Sequence, residues 1–170
     1  RGNRRSFVRV LIAYATKYGT TETIAERVRD KLPGQVDLVN LKMTPDPPVE
    51  QYDVVLVGGS IYAGRIRPEV MKLCERHQEA LTATRVGVFI SCLYDGEQGG
   101  DQIGANFPGW LLTRAFGRYN VGGAVQFSRL RLVDRIIMQK VAKVSSDLSD
   151  INESEIDRII ADVTSITGGA

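Results

Sequence analysis

The sequence predicts a doubly wound α/β fold with three layers, α/β/α, in which a five-stranded parallel sheet lies between two layers of helices. Two observations support this prediction. Short apolar runs alternate along the chain with segments of helical period, and the central run 52–58 contains an unbroken apolar stretch. Such a stretch fits a strand that is covered on both faces of the sheet. The 170 residues, of which 43% are hydrophobic, provide enough chain for one substantial core.

Strands are predicted at the apolar runs 8–14, 36–41, 52–58, 86–92 and 121–127. Helices are predicted at 22–32, 68–81, 108–117, 130–144 and 153–167, where apolar residues recur at helical spacing or a proline opens the segment. The polar segment 1–7 is expected to be disordered, and residues 8–170 are expected to form a single domain. The glycine-rich segment 95–104 is interpreted as a loop that could close over a ligand as a mobile lid.

The segment between the first strand and the first helix is the most informative part of the chain. It reads Thr16-Lys17-Tyr18-Gly19-Thr20-Thr21. The N–H groups of a first helical turn, the positive end of the helix dipole and the threonine hydroxyls would converge there on one point, which suits a phosphomonoester. No Walker-type lysine follows Gly19, so a nucleotide-triphosphate loop is disfavoured. An ordinary N-capped helix after a strand is the alternative.

Two more loops are predicted at the same edge of the sheet. Ligands of doubly wound sheets bind beyond the carboxyl ends of the strands, where this chain places residues 58–64 and 91–96. The first loop combines glycines with a hydroxyl and an aromatic residue, and its candidate binding residues are Ser60, Ile61, Tyr62, Ala63 and Gly64. The second loop contributes Ser91, Cys92, Leu93 and Tyr94. For residues 58–64 the alternative is a glycine turn that carries a surface tyrosine.

The loops at 16–21 and 58–64 resemble those of the flavodoxin-like family. The spacing T-x-x-G-x-T resembles that family's FMN-phosphate loop T/S-x-T-G-x-T, with Tyr18 in place of the middle threonine. Residues 58–64 resemble its G-x-P-T-Y-x-G loop, with Ser60 in place of the proline. The resemblance implies the strand order 2-1-3-4-5 and FMN as the cofactor. It also implies that residues 16–21 hold the phosphate and that Tyr62 stacks on the isoalloxazine ring.

No catalytic side chain is expected, because a flavin carries the electrons itself and the protein mainly sets its potential and access. No metal site is expected either. Cys74 and His77 have the spacing C-x-x-H, but a zinc site needs two more ligands and the chain has one other Cys and no other His.

The segment after the predicted fifth strand is unusually basic. Cations surround the helix predicted at 130–144, at Arg129, Arg131, Arg135, Lys140 and Lys143. Its apolar stripe is predicted to contain Leu130, Val133, Ile137, Val141 and Val144. Such a basic amphipathic helix suits an anionic substrate or a membrane surface, with Arg129, Arg131 and Arg135 as the candidate contacts. A helix that merely covers the sheet and has a solvated basic face is the alternative.

This segment also resembles a subgroup of the flavodoxin-like family, the menaquinone-dependent protoporphyrinogen oxidases (dehydrogenases). The resemblance rests on residues 58–61, on Gly123-Ala124 and on 129–140, where Val133-Asp134-Arg135 stands in place of the subgroup's Tyr-Asp-Arg. It implies an FMN-dependent oxidoreductase of heme biosynthesis that oxidises protoporphyrinogen and passes electrons to a quinone.

Two other classes of function stay open at this stage. One is a soluble electron-transfer carrier between redox proteins, although carrier flavodoxins are typically strongly acidic and this chain has 22 basic against 20 acidic residues. The other is a flavin-free binding module that kept the fold. A cytoplasmic location is expected from two cysteines and no signal-type or long apolar segment, with peripheral contact at the inner face of a membrane as a further option. No nucleic-acid partner is expected, and the oligomeric state stays open.

Overall fold

A computed structural model describes residues 7–93, 96–140 and 146–168. Its strands, in chain order, are β1 (Arg9–Ala15), β2 (Gln35–Asn40), β3 (Val54–Tyr62), β4 (Arg65–Ile66), β5 (Arg85–Ser91), β6 (Arg118–Asn120), β7 (Gly122–Val125) and β8 (Leu148–Ile151). The main sheet has the order β2-β1-β3-β5-β6, and these neighbours all pair in parallel. This is the predicted order of the five parallel strands, so the predicted fold class is confirmed.

The helices are α1 (Thr20–Lys31), α2 (Pro68–Arg76), α3 (Gln78–Ala83), α4 (Gly96–Asn106), α5 (Gly109–Arg114), α6 (Leu132–Lys140) and α7 (Glu153–Gly168). Short 3₁₀ turns lie at Val49–Gln51 and Phe127–Arg129. Alternate residues of β1 point to opposite faces of the sheet. Leu11 and Ala13 join a core cluster with α2, α3, α4 and α5, whereas Val10 and Ile12 pack with α1 and α7. The three predicted layers follow from this division.

The third strand extends beyond its predicted end. Residues 58–62 belong to β3 rather than to a loop, and β4 turns back to pair with Ile61 and Tyr62. A side chain at Gly58 would collide with the carbonyl group and ring of Phe89, and one at Gly59 would lie 3.0 Å from the Ala15 oxygen. The two glycines therefore permit close packing inside the sheet instead of forming a ligand-binding turn.

The glycine-rich segment predicted as a lid is helical from residue 96 onward. Ile103 and Phe107 are buried against the sheet, and such tertiary packing outweighs the weak helix propensity of glycine. Asn106, at the end of α4, accepts a hydrogen bond from the Ile66 N–H (2.8 Å) and donates one to the Gly64 carbonyl (3.1 Å). The helix is thus tied to the β3–β4 hairpin.

The fifth parallel strand is β6, which ends just before the predicted strand 121–127 begins, so that prediction was wrong about which residues form the fifth strand. The chain leaves the sheet at Gly122, whose φ of +75° favours glycine, and β7 pairs antiparallel with β8. The predicted helix 68–81 is also divided, into α2 and α3, at His77, whose Nε2 lies 2.6 Å from the Asp46 carboxylate. Of the predicted disordered segment 1–7, only Phe7 is among the described residues.

Candidate functional site

A cleft opens at the carboxyl ends of β1, β3 and β5, where the strand order reverses. It encloses about 500 Å³ of empty space, part of it open to solvent. Its lining includes nine of the predicted binding residues, Thr16, Lys17, Tyr18, Thr20, Ser60, Ile61, Tyr62, Ser91 and Leu93. Four residues that were not predicted as binding residues complete it, namely Gly123, Ala124, Val125 and Met138.

The other predicted binding residues lie elsewhere. Gly19 lines an adjoining cleft, and Thr21 is fully buried in the first turn of α1. Ala63 and Gly64 form the exposed turn between β3 and β4. Cys92 is buried and lines a separate cleft beside β8. Tyr94 lies outside the described residues.

The threonine loop, residues 16–21, is shaped by hydrogen bonds to its own atoms and to two strands. The Gly19 N–H donates to Thr16 Oγ1 (2.9 Å), and the Lys17 N–H donates to Ser60 Oγ (3.2 Å). The Thr20 hydroxyl donates to the Ala124 carbonyl (3.2 Å), which joins the loop to β7. Gly19 has a φ of +92°, a conformation that favours glycine.

The start of α1 fits a phosphate group. Its N-cap is Gly19, which supplies no side-chain hydrogen bond, so the N–H groups of the first turn are left for a ligand. Thr21 Oγ1 is buried and lacks a hydrogen-bond partner within the described part of the chain. A ligand oxygen at the helix N-terminus could satisfy these donors.

The adjoining cleft brings a cation to the threonine loop. It is lined by Tyr18, Gly19, Thr20 and Thr23 on one side and by Ala124, Gln126, Arg129 and Ile151 on the other. Arg129 belongs to the 3₁₀ turn Phe127–Arg129 and is exposed. The sequence predicted it as a contact for substrate or membrane, and the structure places it beside the predicted phosphate site.

Three residues that line the main cleft, Lys17, Tyr18 and Tyr62, surround the side chain of Asp134, the buried residue of α6. Lys17 Nζ lies 3.1 Å from Asp134 Oδ1, and the Tyr62 hydroxyl donates to the same oxygen over 2.5 Å. The Tyr18 hydroxyl donates to Asp134 Oδ2. The Lys17 ammonium also lies 3.5 Å from the centroid of the Tyr62 ring. We call these four residues the Asp134 cluster.

The environment of the cluster fixes its charges. Burial acts to raise the pKa of Asp134, but hydrogen bonds from Tyr18, Tyr62 and Lys17 outweigh burial and hold that pKa below its usual value. Burial, and then the hydrogen bonds to Asp134, raise the pKa of both Tyr18 and Tyr62. At neutral pH the cluster therefore contains a carboxylate that accepts hydrogen bonds from two protonated phenols.

Asp134 was not predicted as a site residue. Two sequence signals could have marked it: it is the single acid between Arg129 and Lys140, and it matches the Asp of the Tyr-Asp-Arg stretch that Val133-Asp134-Arg135 resembles. Its partners lie 72 to 117 residues away along the chain. Local spacing cannot reveal contacts over such separations.

The orientation of α6 differs from the prediction. Val133 was predicted in the inward apolar stripe but is 66% exposed. Leu132 and Ile136 are also exposed, at 73% and 44%. Because Asp134 faces inward, the helix is rotated and turns an apolar face to solvent. Of the remaining stripe residues, Leu130 is buried and Ile137 is half-buried, whereas Val141 and Val144 lie outside the described residues.

The three candidate arginines have different surroundings. Arg129 and Arg131 are exposed and form no ion pair with any residue that the structure describes. Arg135 is half-buried and donates to the carbonyls of Leu130 (Nε, 3.1 Å) and Ser128 (Nη2, 2.7 Å). Arg135 therefore braces the turn before α6, while the other two cations are available to a partner.

Residues 11–152 match the family model of the flavodoxin domain. The chain belongs to the flavodoxin family. The prediction of a flavodoxin-like FMN protein is thereby confirmed at the level of the family. Among curated proteins it is similar to protoporphyrinogen IX dehydrogenase (quinone) of Escherichia coli, with 24% identity over 88% of this chain and 87% of the relative.

Solved structures show the same fold. A flavodoxin of Streptococcus pneumonia superposes with a TM-score of 0.56 at 19% identity, over 94% of this chain and 99% of that one. A flavoprotein of Lactobacillus acidophilus, solved in complex with FMN, gives a TM-score of 0.51 at 14% identity, over 65% and 91% of the two chains. Rubredoxin oxygen:oxidoreductase of Desulfovibrio gigas is a longer protein, of which this chain spans 37% of the length. The match covers 91% of this chain at 18% identity, with a TM-score of 0.49.

Proposed function

We propose that the protein is an FMN-dependent oxidoreductase that takes electrons from a reduced organic substrate and passes them to a quinone at a membrane surface. The observation that supports this proposal best is the convergence of three features at one edge of the sheet. The threonine loop, Tyr62 and Arg129 line two adjoining clefts. A phosphate, a flavin ring and an anionic substrate group would each meet a suitable partner there.

FMN is the cofactor of this proposal. Support comes from membership of the flavodoxin family, from the FMN complex of the Lactobacillus flavoprotein, and from the uncapped start of α1 with the orphaned Thr21 hydroxyl. When bound, FMN supplies the ring that accepts and donates electrons. The residues of the chain bind its phosphate at 16–21, present Tyr62 to the ring and close one side of the cleft with Ala124 and Val125.

A tetrapyrrole with carboxylate side chains is the proposed substrate class. The Escherichia coli relative carries protoporphyrinogen IX in its name and aligns over most of both chains. Arg129 is an exposed cation that lines the adjoining cleft, and Arg131, two residues further on, is exposed as well. Arginine binds carboxylates by charge-assisted hydrogen bonds. These two residues would hold the propionates of such a substrate.

Peripheral membrane contact is proposed through α6. Leu132, Val133 and Ile136 are exposed on this helix, and Arg131 and Lys140 stand at its two ends. An apolar face flanked by cations lies favourably in the interface of an anionic bilayer. In the described part of the chain, no helix has the length and apolar character to cross a bilayer.

The alternative is a one-electron carrier between redox proteins. The exposed apolar face of α6 would suit a protein partner as well as a membrane. The near balance of 22 basic and 20 acidic residues argues against this alternative, because a carrier that is steered to basic partners gains from a strong negative charge.

An anaerobic assay of the purified protein with protoporphyrinogen IX and a menaquinone analogue tests the proposal. We expect yellow protein with bound FMN, and oxidation of protoporphyrinogen beyond the electrons that the bound flavin itself can accept only when the quinone is present. Protein from which the FMN has been removed is the matched control. FMN-bound protein that leaves protoporphyrinogen unoxidised, yet passes electrons to a second redox protein, would favour the carrier.

A further inference from the structure

The charge distribution of the main cleft is unusually simple. Of the described residues that line it, Lys17 alone carries a charge, and the others are hydroxyl, apolar or glycine residues. Next to Lys17 lies Asp134, a residue that is 6% exposed and whose Oδ1 is 3.1 Å from the Lys17 ammonium. The cleft therefore contains one cation whose charge is balanced by one buried carboxylate.

The structure holds both charges in place. Lys17 is fixed by its backbone N–H bond to Ser60 and by its position over the Tyr62 ring, at 3.5 Å from the centroid. Asp134 accepts hydrogen bonds from Tyr62 and Tyr18 in addition to the contact with Lys17. Two rigid phenols and one helix thus set the distance between the two charges. Removal of either charge would leave the other uncompensated in a partly buried site.

We propose that Lys17 and Asp134 form an opposed charge pair that sets the midpoint potential of the bound flavin, with Lys17 favouring the reduced flavin and Asp134 opposing it. This inference rests on the proposed FMN site. Reduction adds negative charge to a flavin ring, so a nearby ammonium binds reduced FMN more tightly than oxidised FMN. A carboxylate has the opposite effect. Lys17 raises the midpoint potential of the flavin, and Asp134 holds the Lys17 ammonium in position and offsets its charge.

The midpoint potential measures this difference directly, because it shifts with the ratio of the affinities for oxidised and reduced FMN. A tenfold change in that ratio corresponds to about 59 mV for a one-electron step and about 30 mV for a two-electron step. A residue that only shapes the cleft would change both affinities equally and leave the potential unchanged. The potential is therefore a readout that a purely structural role does not move.

The experiment is a potentiometric titration of FMN bound to four variants, with FMN affinity measured by fluorescence quenching. Lys17→Met should lower the two-electron potential by about 30 mV or more, and Asp134→Asn, which keeps a hydrogen-bond acceptor, should raise it by a similar amount. The double variant should return close to wild type, since both charges are gone. Lys17→Arg keeps the charge and should also stay close to wild type.

A matched control uses the ion pair between Arg27 and Glu153, which is 2.6 Å long and exposed, away from the main cleft. Arg27→Met and Glu153→Gln should leave the potential unchanged. Equal potentials in Lys17→Met, Asp134→Asn and wild type, with FMN bound in all, would overturn the charge pair and leave the proposed FMN function standing. If Lys17→Met weakened the binding of oxidised and of reduced FMN by the same factor, the proposed charge pair would also be overturned. Wild-type protein that binds no FMN would overturn both proposals.

Discussion

The two walls of the cleft are built in different ways. One wall consists of the threonine loop, which follows β1, and the carboxyl ends of β3 and β5. The strands β1, β3 and β5 are neighbours in the parallel sheet. The other consists of β7 and α6, which reach the cleft only because the chain leaves the sheet at Gly122 and returns. The first wall carries a local motif, whereas the second is held by contacts between residues about a hundred positions apart, such as Thr20 with Ala124.

This difference separates two tasks. The sheet wall provides backbone N–H groups and hydroxyls, which suit a phosphate and a ring that are common to a whole family. The α6 wall provides the carboxylate, the exposed cations and the apolar face, which suit a particular partner. We therefore expect substitutions in the first wall to act mainly on cofactor affinity and substitutions in the second to act on substrate and membrane binding. The potential depends on both walls, because Lys17 and Tyr62 of the first contact Asp134 of the second.

The largest effect is expected from Gly19→Val in the sheet wall. Valine strongly disfavours the φ of +92°, so the loop would turn its N–H groups away from a phosphate. Loss of two charge-assisted hydrogen bonds, at roughly 1.5–3 kcal/mol each, predicts FMN binding at least about a hundredfold weaker in a fluorescence titration. Gly34→Val is the control, since Gly34 has a φ of +90° in the turn before β2 and lies outside both clefts. Equal FMN affinity in the two variants would remove the threonine loop from the cofactor site.

The next effect is expected from the α6 wall, when Arg129 and Arg131 are both replaced by Gln. Arg135 is kept because it braces the turn. Each cation near an anionic surface contributes about 1 kcal/mol, so binding to anionic vesicles at low salt should weaken about thirtyfold and the difference should shrink as salt rises. FMN should stay bound, with any loss of affinity due to Arg129, which lines the cleft beside the threonine loop. The double variant Lys42→Gln with Lys72→Gln removes the same charge from other exposed positions, and equal vesicle binding by the two double variants would contradict the assigned surface.

The sequence predicted the sheet wall because its signals are local. An apolar run, a glycine and hydroxyls at fixed spacing define a strand, a turn and a helix start without reference to distant residues. The five-strand order followed from the resemblance to a family. Even here the role of Gly58 and Gly59 was misjudged, because the sequence does not show that Phe89 and Ala15 pack against them.

The α6 wall was predicted poorly for a physical reason. Hydrophobic periodicity assumes that the apolar face of a helix is the buried face, yet the buried residue of α6 is Asp134, which is bound by two tyrosines and a lysine. Three hydrogen bonds to one carboxylate therefore decide the rotation of this helix against its own apolar pattern. The helix α4 shows the same limitation, since burial of Ile103 and Phe107 stabilises a glycine-rich segment that reads as a loop.

A smaller effect is expected from Tyr62, which touches both walls. Loss of aromatic stacking in Tyr62→Ala is worth about 0.5–1.5 kcal/mol, or roughly twofold to tenfold in FMN affinity. The midpoint potential should rise, because an electron-rich ring face disfavours the reduced flavin. Tyr62→Phe keeps the ring and removes the hydrogen bond to Asp134, so it should retain most of the affinity. If Tyr62→Ala left both affinity and potential unchanged, the ring would not stack on the flavin.

The smallest effect is expected at the turn between β3 and β4, which the sequence assigned to the cofactor and the structure places outside the lining of the cleft. Ala63 has a φ of +49° and Gly64 a φ of +75°, the pattern of a two-residue type I′ turn that prefers Asn-Gly. Ala63→Asn should therefore increase the free energy of unfolding in urea by roughly 0.5–1 kcal/mol. FMN affinity should stay the same, because residue 63 is exposed. A clear change in FMN affinity without added stability would show that this turn belongs to the cofactor site. The sheet wall would then extend beyond Tyr62.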